Sequence, residues 1–534
     1  MSTTGQGDMT GTSLWGATYF LALFAALLAL PTSWFLFHRY RRSILRLMNQ
    51  RSSGTQETGE LGPVPDHPRP SEPPQTDAIE VGMRRNVIVL VVVAVISGFA
   101  FAALFLVWTD VGISVWRLST FAILYSWPAV IGVWIVTGGR RRWVVTSLAV
   151  YFVSLSIAVM IGGGSWDVPA QLVLFSLVPT AAIVGFLSRR FRGMGALVLG
   201  TMMVALAGSQ AFAFAVLGNE VLITAWAELL TALGVTSGMV AWLALIGVGF
   251  VLSLILGVVA TRLLAGWYAH YGFSDQMLLL GSTFLVFAID QSGSASTTEA
   301  GPFGIGLVIY LLAGTVAFVL YRLIHRQPVE PTCLLMLRVF SPDPTRQRLL
   351  DQIASRWRYL GPVRMIGGPD LAINNVEPNE FLAFVSRRTR ELFVTGNEDL
   401  AERIRNLETR TDRDARYRID EFFCFDDTWR PTVNQLLAQS DAVVMDLRSF
   451  GAENEGSTHE LGLLSSRGAL SRTVLLVDQG TDRVLIDSIL GAEDHGGAIL
   501  LEAEGNDPDE ALRALASTCA VAEQVPESRL HRSD

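Results

Sequence analysis

Eight stretches of this chain come close to the roughly 20 apolar residues that a helix needs to cross a bilayer, and no other feature limits its fold so tightly. They are residues 14–37, 86–108, 119–137, 143–163, 168–187, 194–218, 239–265 and 302–323. A backbone in hydrocarbon must satisfy its own hydrogen bonds, so runs of this kind are expected to be helices. A ninth run, residues 276–290, is shorter and weaker. Residues 221–235 contain Glu228 and several threonines and read as a helix that lies on the membrane or re-enters it. The expected fold class of this half is an α-helical polytopic membrane bundle, with the lipid bilayer as its first partner.

Arginine placement orients the spans. Clusters lie within residues 39–46, 84–85, 140–142, 189–192 and 322–326, whereas loops of the other parity hold Asp110, Asp167, Glu220 and Glu299, with Arg117 as the basic exception. Basic loops stay in the cytoplasm, which places the N-terminus outside. The region after Arg326 then faces the cytoplasm only if the number of spans is odd, so nine are expected, the weak run included. The first span, within residues 1–49, is expected to be a retained anchor, because its arginines follow it and it exceeds the apolar core of a signal peptide. Residues 50–85, Pro-rich as far as Val81, hold Pro63, Pro65, Pro68, Pro70, Pro73 and Pro74 and read as a disordered cytoplasmic linker. The bundle then occupies residues 86–326, and residues 327–534 form a second domain.

Charge separates the two halves. Through Arg326 there are 18 arginines against 14 acids, and from Gln327 onward 23 against 35. An acidic soluble domain argues against nucleic acid as a partner, since phosphate contacts need a basic surface. No lysine is present, which excludes a lysine Schiff base or a phosphate-loop lysine. Cys333, Cys424 and Cys519 lack metal-ligand spacing, and no cofactor is expected. Most spans carry no ionisable residue. Asp290 and Arg262 fall near span ends, and Pro128, Pro179 and the bundle's glycines fit helix kinking and close packing. The bundle therefore reads as an anchor or sensor, with a transporter or channel bearing a regulatory domain as the alternative.

After Pro331, short β-rich runs alternate with amphipathic helical ones. Strands are expected at residues 333–340, 362–367, 421–425, 442–447, 473–477 and 498–501, and helices at 344–360, 431–439, 458–466 and 508–519. This alternation predicts a mostly parallel sheet covered by helices, whose ligands bind beyond the carboxyl ends of the strands. Those ends bring Arg338 and Asp343, Gly367 and Gly368, and Asp446, Arg448 and Asn454 into consideration as ligand-binding residues.

The apolar strand ending in Asp446, followed by a polar loop and Gly456-Ser457-Thr458-His459-Glu460-Leu461-Gly462, resembles nucleoside 2-deoxyribosyltransferases. It is also similar in layout to Toll/interleukin-1 receptor (TIR) domains that cleave NAD. The likeness covers residues 441–462, and residues 370–416 have no counterpart in it. It implies a flavodoxin- or TIR-like sheet, a nucleotide or nucleoside ligand, and Glu460 as the carboxylate acting at the ribosyl C1′. It further implies that the amides of Gly456 and Ser457 hold a phosphate or ribose hydroxyl. An equally direct reading makes Ser457-x-x-Glu460 a helix capping box. A non-enzymatic scaffold, as a single chain or a homo-oligomer, also fits the sequence. The topology is testable. A reporter fused after Arg326 is expected to be active in the cytoplasm and one inserted at Ser294 outside; the reverse at either site removes the nine-span arrangement.

Overall fold

The computed structural model describes residues 9–48, 50, 73–108, 112–165, 180–186, 195–295, 302–324, 330–338, 344–367, 378–407, 409–491, 494–503 and 507–521. Contacts group the chain into two compact units, residues 1–39, 85–324 and 375–386 in one and 40–84, 325–374 and 387–534 in the other. The single break expected after residue 326 differs from this division in two places: residues 40–84 join the later unit, and residues 375–386 join the earlier one.

The first unit is helical. Its helices are α1 (Met9–Met48), α2 (Asp77–Trp108), α3 (Val115–Tyr125), α4 (Pro128–Val136), α5 (Arg141–Ile161), α6 (Gly195–Leu217), α7 (Glu220–Ala232), α8 (Gly238–Ala269), α9 (Asp275–Ala295) and α10 (Pro302–Ile324), the first two shared with the other unit. Among the described residues, five helices are long and apolar enough to cross a membrane: Asp77–Val107, Val115–Val136, Arg141–Ile161, Leu197–Leu217 and Gly238–Ala269. Two shorter apolar helices cover Asp275–Ile289 and Val308–Ile324. Of the run at 168–187, only residues 180–186 are described, and they are helical. The expected linker differs at its end: α2 starts at Asp77, with Asp77 and Glu80 in its first turn, where negative charge favours helix initiation. Residues 51–72 of that linker lie outside the described residues.

Breaks and close approaches have local causes. Pro128 lacks an N–H and opens α4 at its first position, so the span divides there from α3. Gly98 lets α2 approach α3, since a Cβ at Gly98 would stand 2.4 Å from the Ala122 carbonyl oxygen. Ser209 Oγ on α6 donates to the Ile246 carbonyl of α8 at 2.8 Å. A Cβ on Gly249 would meet Phe212 and Ser209 at 3.0 Å, so small residues set this helix pair as well.

The second unit is built on a sheet of β1 (Leu334–Arg338), β2 (Val363–Gly367), β3 (Phe393–Val394), β4 (Ile419–Cys424), β5 (Ala442–Asp446), β6 (Thr473–Val477) and β7 (Ile499–Glu502). Its order is β3-β4-β2-β1-β5-β6-β7, and every strand pairing among the described residues is parallel. The helices of this part are α11 (Pro344–Trp357), α12 (Pro378–Val385), α13 (Asn397–Arg405), α14 (Trp429–Ala438), α15 (Glu455–Ser466), α16 (Arg483–Leu490) and α17 (Pro508–Val521), of which α12 falls in the first unit. Alternate strand residues Leu335, Leu337, Val443 and Met445 enter one core with Val433 and Leu436 of α14 and Leu461 and Leu464 of α15. Leu334, Met336, Val444 and Leu476 are buried on the opposite face, where α17 packs on β5 and β6. Strands apolar on both faces are what a sheet covered on both sides requires.

The expected strands and helices of this domain recur with shifted ends, while β3, α12, α13 and α16 were not expected. β3 is two residues long, too short to show a period. At the amino ends of the strands, Arg364 lies in register with Asp420, and burial pushes the Asp420 carboxyl up to about 6 although Arg364, Arg418 and Arg358 pull it down. The start of β1 is equally tight: a Cβ on Gly361 would stand 1.9 Å from the Thr332 carbonyl oxygen. Backbone cannot yield as a side-chain tip can, so Gly361→Ala is expected to cost about 1–3 kcal/mol, read as a lowered melting temperature of the full-length protein in detergent.

Candidate functional site at the reversal of the sheet

The chain runs from β1 to β2 in one direction, then returns to place β5 on the other side of β1. A crevice opens beyond the carboxyl ends of strands at such a reversal. The residues flanking it are the last of each strand, Arg338 and Asp446, which face each other in register.

The loop after β5 is held by a bidentate ion pair. Arg448 donates from Nε to Asp446 Oδ1 and from Nη2 to Asp446 Oδ2, both at 2.7 Å, with the pair only 3% and 4% exposed. The Arg448 amide donates to the same carboxylate at 3.2 Å. Arg346 on α11 and Arg448 then exchange hydrogen bonds, each guanidinium donating to the other's carbonyl at 2.8 Å. Arg346 also donates to Ser449 Oγ, and the Ser449 amide donates to Asp478 Oδ1 at 2.8 Å. Ser449 takes φ +51, a left-handed conformation that these bonds sustain. Both Asp446 oxygens are thus engaged by Arg448.

Helix α15 follows the loop. Its N-cap is Asn454, whose side chain makes no capping bond and accepts instead from the Gly451 amide at 2.9 Å. Ser457 therefore stands inside the helix and Glu460 a turn further on. The capping-box reading does not survive, because the helix starts earlier than the motif required. Gly456 and Ser457 lie in the first turn, whose amides have no preceding helical carbonyl to bond. A Cβ at Gly456 would meet open space.

Glu460 points inward. It is 8% exposed, and its Oε2 atom has no hydrogen-bond partner. Burial pushes its carboxyl up to about 8, against a smaller downward pull from Arg338. A buried carboxyl with an unengaged oxygen, beside a strand-end arginine and at a sheet reversal, is the arrangement expected of a working acid. The neighbouring His459 is exposed and meets Trp429 of α14 edge-on, with ring centroids 5.5 Å apart.

Gly367 ends β2, paired with Phe423. A Cβ there would stand 2.9 Å from Glu421 Oε1 and 2.8 Å from the Phe423 ring, so the glycine makes room for Glu421. Glu421 was not among the expected site residues, although the adjacent acids Asp420 and Glu421 within the run Ile419–Cys424 were the available signal. Arg338, Asp446, Arg448 and Glu460 belong to the β1 and β5 end of the site, while Gly367 serves the next strand. Asp343 and Gly368 lie outside the described residues. Among the described residues no cluster of histidine, cysteine and acids is suited to a metal.

The raised Glu460 carboxyl has a signed consequence. Folded protein holds this proton more tightly than unfolded protein, so the favourable contribution is complete at low pH. It is lost as pH rises from the unfolded carboxylate range toward about 8, then levels off. Glu460→Gln removes this dependence, so its melting temperature relative to wild type is expected to climb between about pH 5 and pH 8; a constant difference across that window refutes the assignment. Neither the profiles of known protein families nor the curated proteins compared with the chain offer a match, and the site is read from its own chemistry.

Proposed function

We propose that this chain is a multi-pass membrane protein, with the N-terminus outside and the sheet domain in the cytoplasm. We further propose that the domain binds a nucleoside or nucleotide such as NAD and cleaves its N-glycosidic bond with Glu460. The membrane assignment is supported by α8, whose most apolar window has mean hydropathy 2.7 yet is only 11% buried. In water so large an apolar surface is untenable, whereas in lipid it is ordinary.

The observation that carries the catalytic reading is the Glu460 carboxyl, buried, unpaired at Oε2 and placed beside the sheet reversal. Its raised pKa keeps it mostly neutral near pH 7, which avoids a buried uncompensated charge. A ribosyl nicotinamide arrives with a positive charge and draws the carboxyl toward its ionised form. As the C1′–N bond breaks, its electron pair leaves with the base and positive charge grows on the ribose, which the carboxylate stabilises. Water then adds to C1′ and passes a proton to the Glu460 carboxylate, which returns to its neutral form. In this reading Arg338 lines the other side of the crevice, and the first-turn amides of α15 bond ligand oxygens.

The test uses the full-length protein in detergent, incubated with NAD and with nucleosides. Glu460→Gln is expected to keep the fold and lose on the order of a hundredfold in turnover. Unchanged turnover in that variant places the chemistry elsewhere. Failure of the wild type to bind or cleave any of these compounds overturns the proposal.

A further inference from the structure

The turn after β5 is docked on the turn after β6. The Thr481 hydroxyl accepts from the Asp478 amide at 2.9 Å and donates to the Leu447 carbonyl at 2.9 Å. The Ser449 amide donates to Asp478 Oδ1 at 2.8 Å, and the Asp482 amide donates to the Phe450 carbonyl at 2.9 Å. Leu447, Ser449 and Phe450 are thus each held by a different residue of 478–482. The Phe450 ring is buried in the core that Leu461 and Leu464 of α15 also enter.

Asp478 is the charged member of this contact. Its Oδ1 atom also accepts from the Gly480 amide at 3.0 Å, and its Oδ2 atom faces Arg346 Nη2 at 3.4 Å. Ser449 holds φ +51, a conformation that a residue with a Cβ adopts only at a cost. The amide bond to Asp478 and the hydroxyl bond to Arg346 offset that cost. Past Phe450, the Asn454 side chain accepts from the Gly451 amide at 2.9 Å. The Asn454 amide donates back to the Gly451 carbonyl at 3.0 Å, and α15 opens at Glu455. The path from the docked turn into the helix is therefore short and internally clipped. Successive side chains of a helix point about 100° apart, so a modest rotation of α15 is enough to turn Glu460 away from the interior.

We propose that Asp478 is a positioning residue for Glu460: by holding Ser449 left-handed it fixes the path into α15 and keeps the Glu460 carboxyl facing inward. Its effect on turnover rests on the reading of Glu460 as the working acid, whereas its effect on the surroundings of Glu460 does not.

Melting of the full-length protein in detergent, scanned from about pH 5 to pH 8, tests this role. In each background the readout is the melting temperature of Glu460→Gln minus that of its parent, so the other titrating groups cancel. Arg338 acts on the Glu460 carboxyl from β1, His459 beside it on α15 is exposed, and no variant alters either. Asp478→Asn keeps an acceptor for the Ser449 amide, so the climb of this difference across the window is expected to persist. Asp478→Ala removes the acceptor, Glu460 turns toward water, and the climb is expected to flatten. Adding Ser449→Gly to Asp478→Ala should restore it, because glycine adopts a positive φ unaided. This double variant also decides the matter if Asp478→Ala alone does not fold. An undiminished climb in Asp478→Ala, a double variant that neither folds nor recovers the climb, or no climb in the wild-type background overturns the proposal. Turnover separates it from the catalytic reading. Where the wild type cleaves NAD, Asp478→Ala should be at least about tenfold slower than Asp478→Asn. A wild type without turnover, whose climb still flattens in Asp478→Ala, refutes the catalytic reading and supports the positioning role.

Discussion

The bidentate pair between Arg448 and Asp446 is the interaction on which the candidate site depends. It lies at the strand end where the parallel sheet reverses, and almost no water reaches it. A buried charge stripped of its partner is worth several kcal/mol of instability, so neither residue is replaceable alone. The pair turns the chain sharply after β5, and the Arg346 and Asp478 bonds to the same loop direct it into α15. Glu460 inherits its inward position from that turn.

Glu460 itself is placed against its own solvation. A carboxyl with an unengaged oxygen in a buried site carries a desolvation cost. Core positions of α15 such as Leu461 and Leu464 hold apolar residues, and Glu460 departs from that pattern. Asp420 at the amino ends of the strands differs, because Arg364, Arg418 and Arg358 partly offset its desolvation.

The apolar helices obey a separate logic. Their packing relies on small residues and backbone-directed hydroxyls at Gly98, Ser209 and Gly249, since apolar side chains alone gain little from one another where the surroundings are equally apolar. Their outward faces remain strongly hydrophobic. The segments that change unit along the chain are residues 40–84 and 375–386.

Local pattern was enough for much of this. Runs of about 20 apolar residues announce helices because backbone bonding in lipid leaves no alternative; the five long apolar helices follow from them. The strands at Leu334–Arg338, Val363–Gly367 and Ala442–Asp446 were legible as β-branched and apolar stretches between turns. So were Arg338, Asp446 and Glu460 as strand-end and helix-start residues. Tertiary structure decided what those residues do. Whether Glu460 caps a helix or enters the interior depends on where α15 begins, which is set within the Asn454 loop, whose side chain accepts from the Gly451 amide instead of capping. That Asp446 spends its oxygens on Arg448, two residues on, is a local pairing fixed by the turn, whereas Gly367 yielding space to Glu421 and α12 joining the apolar helices are matters of long-range contact. Sequence period reports which face of an element is apolar; only the folded chain selects the neighbour that covers it.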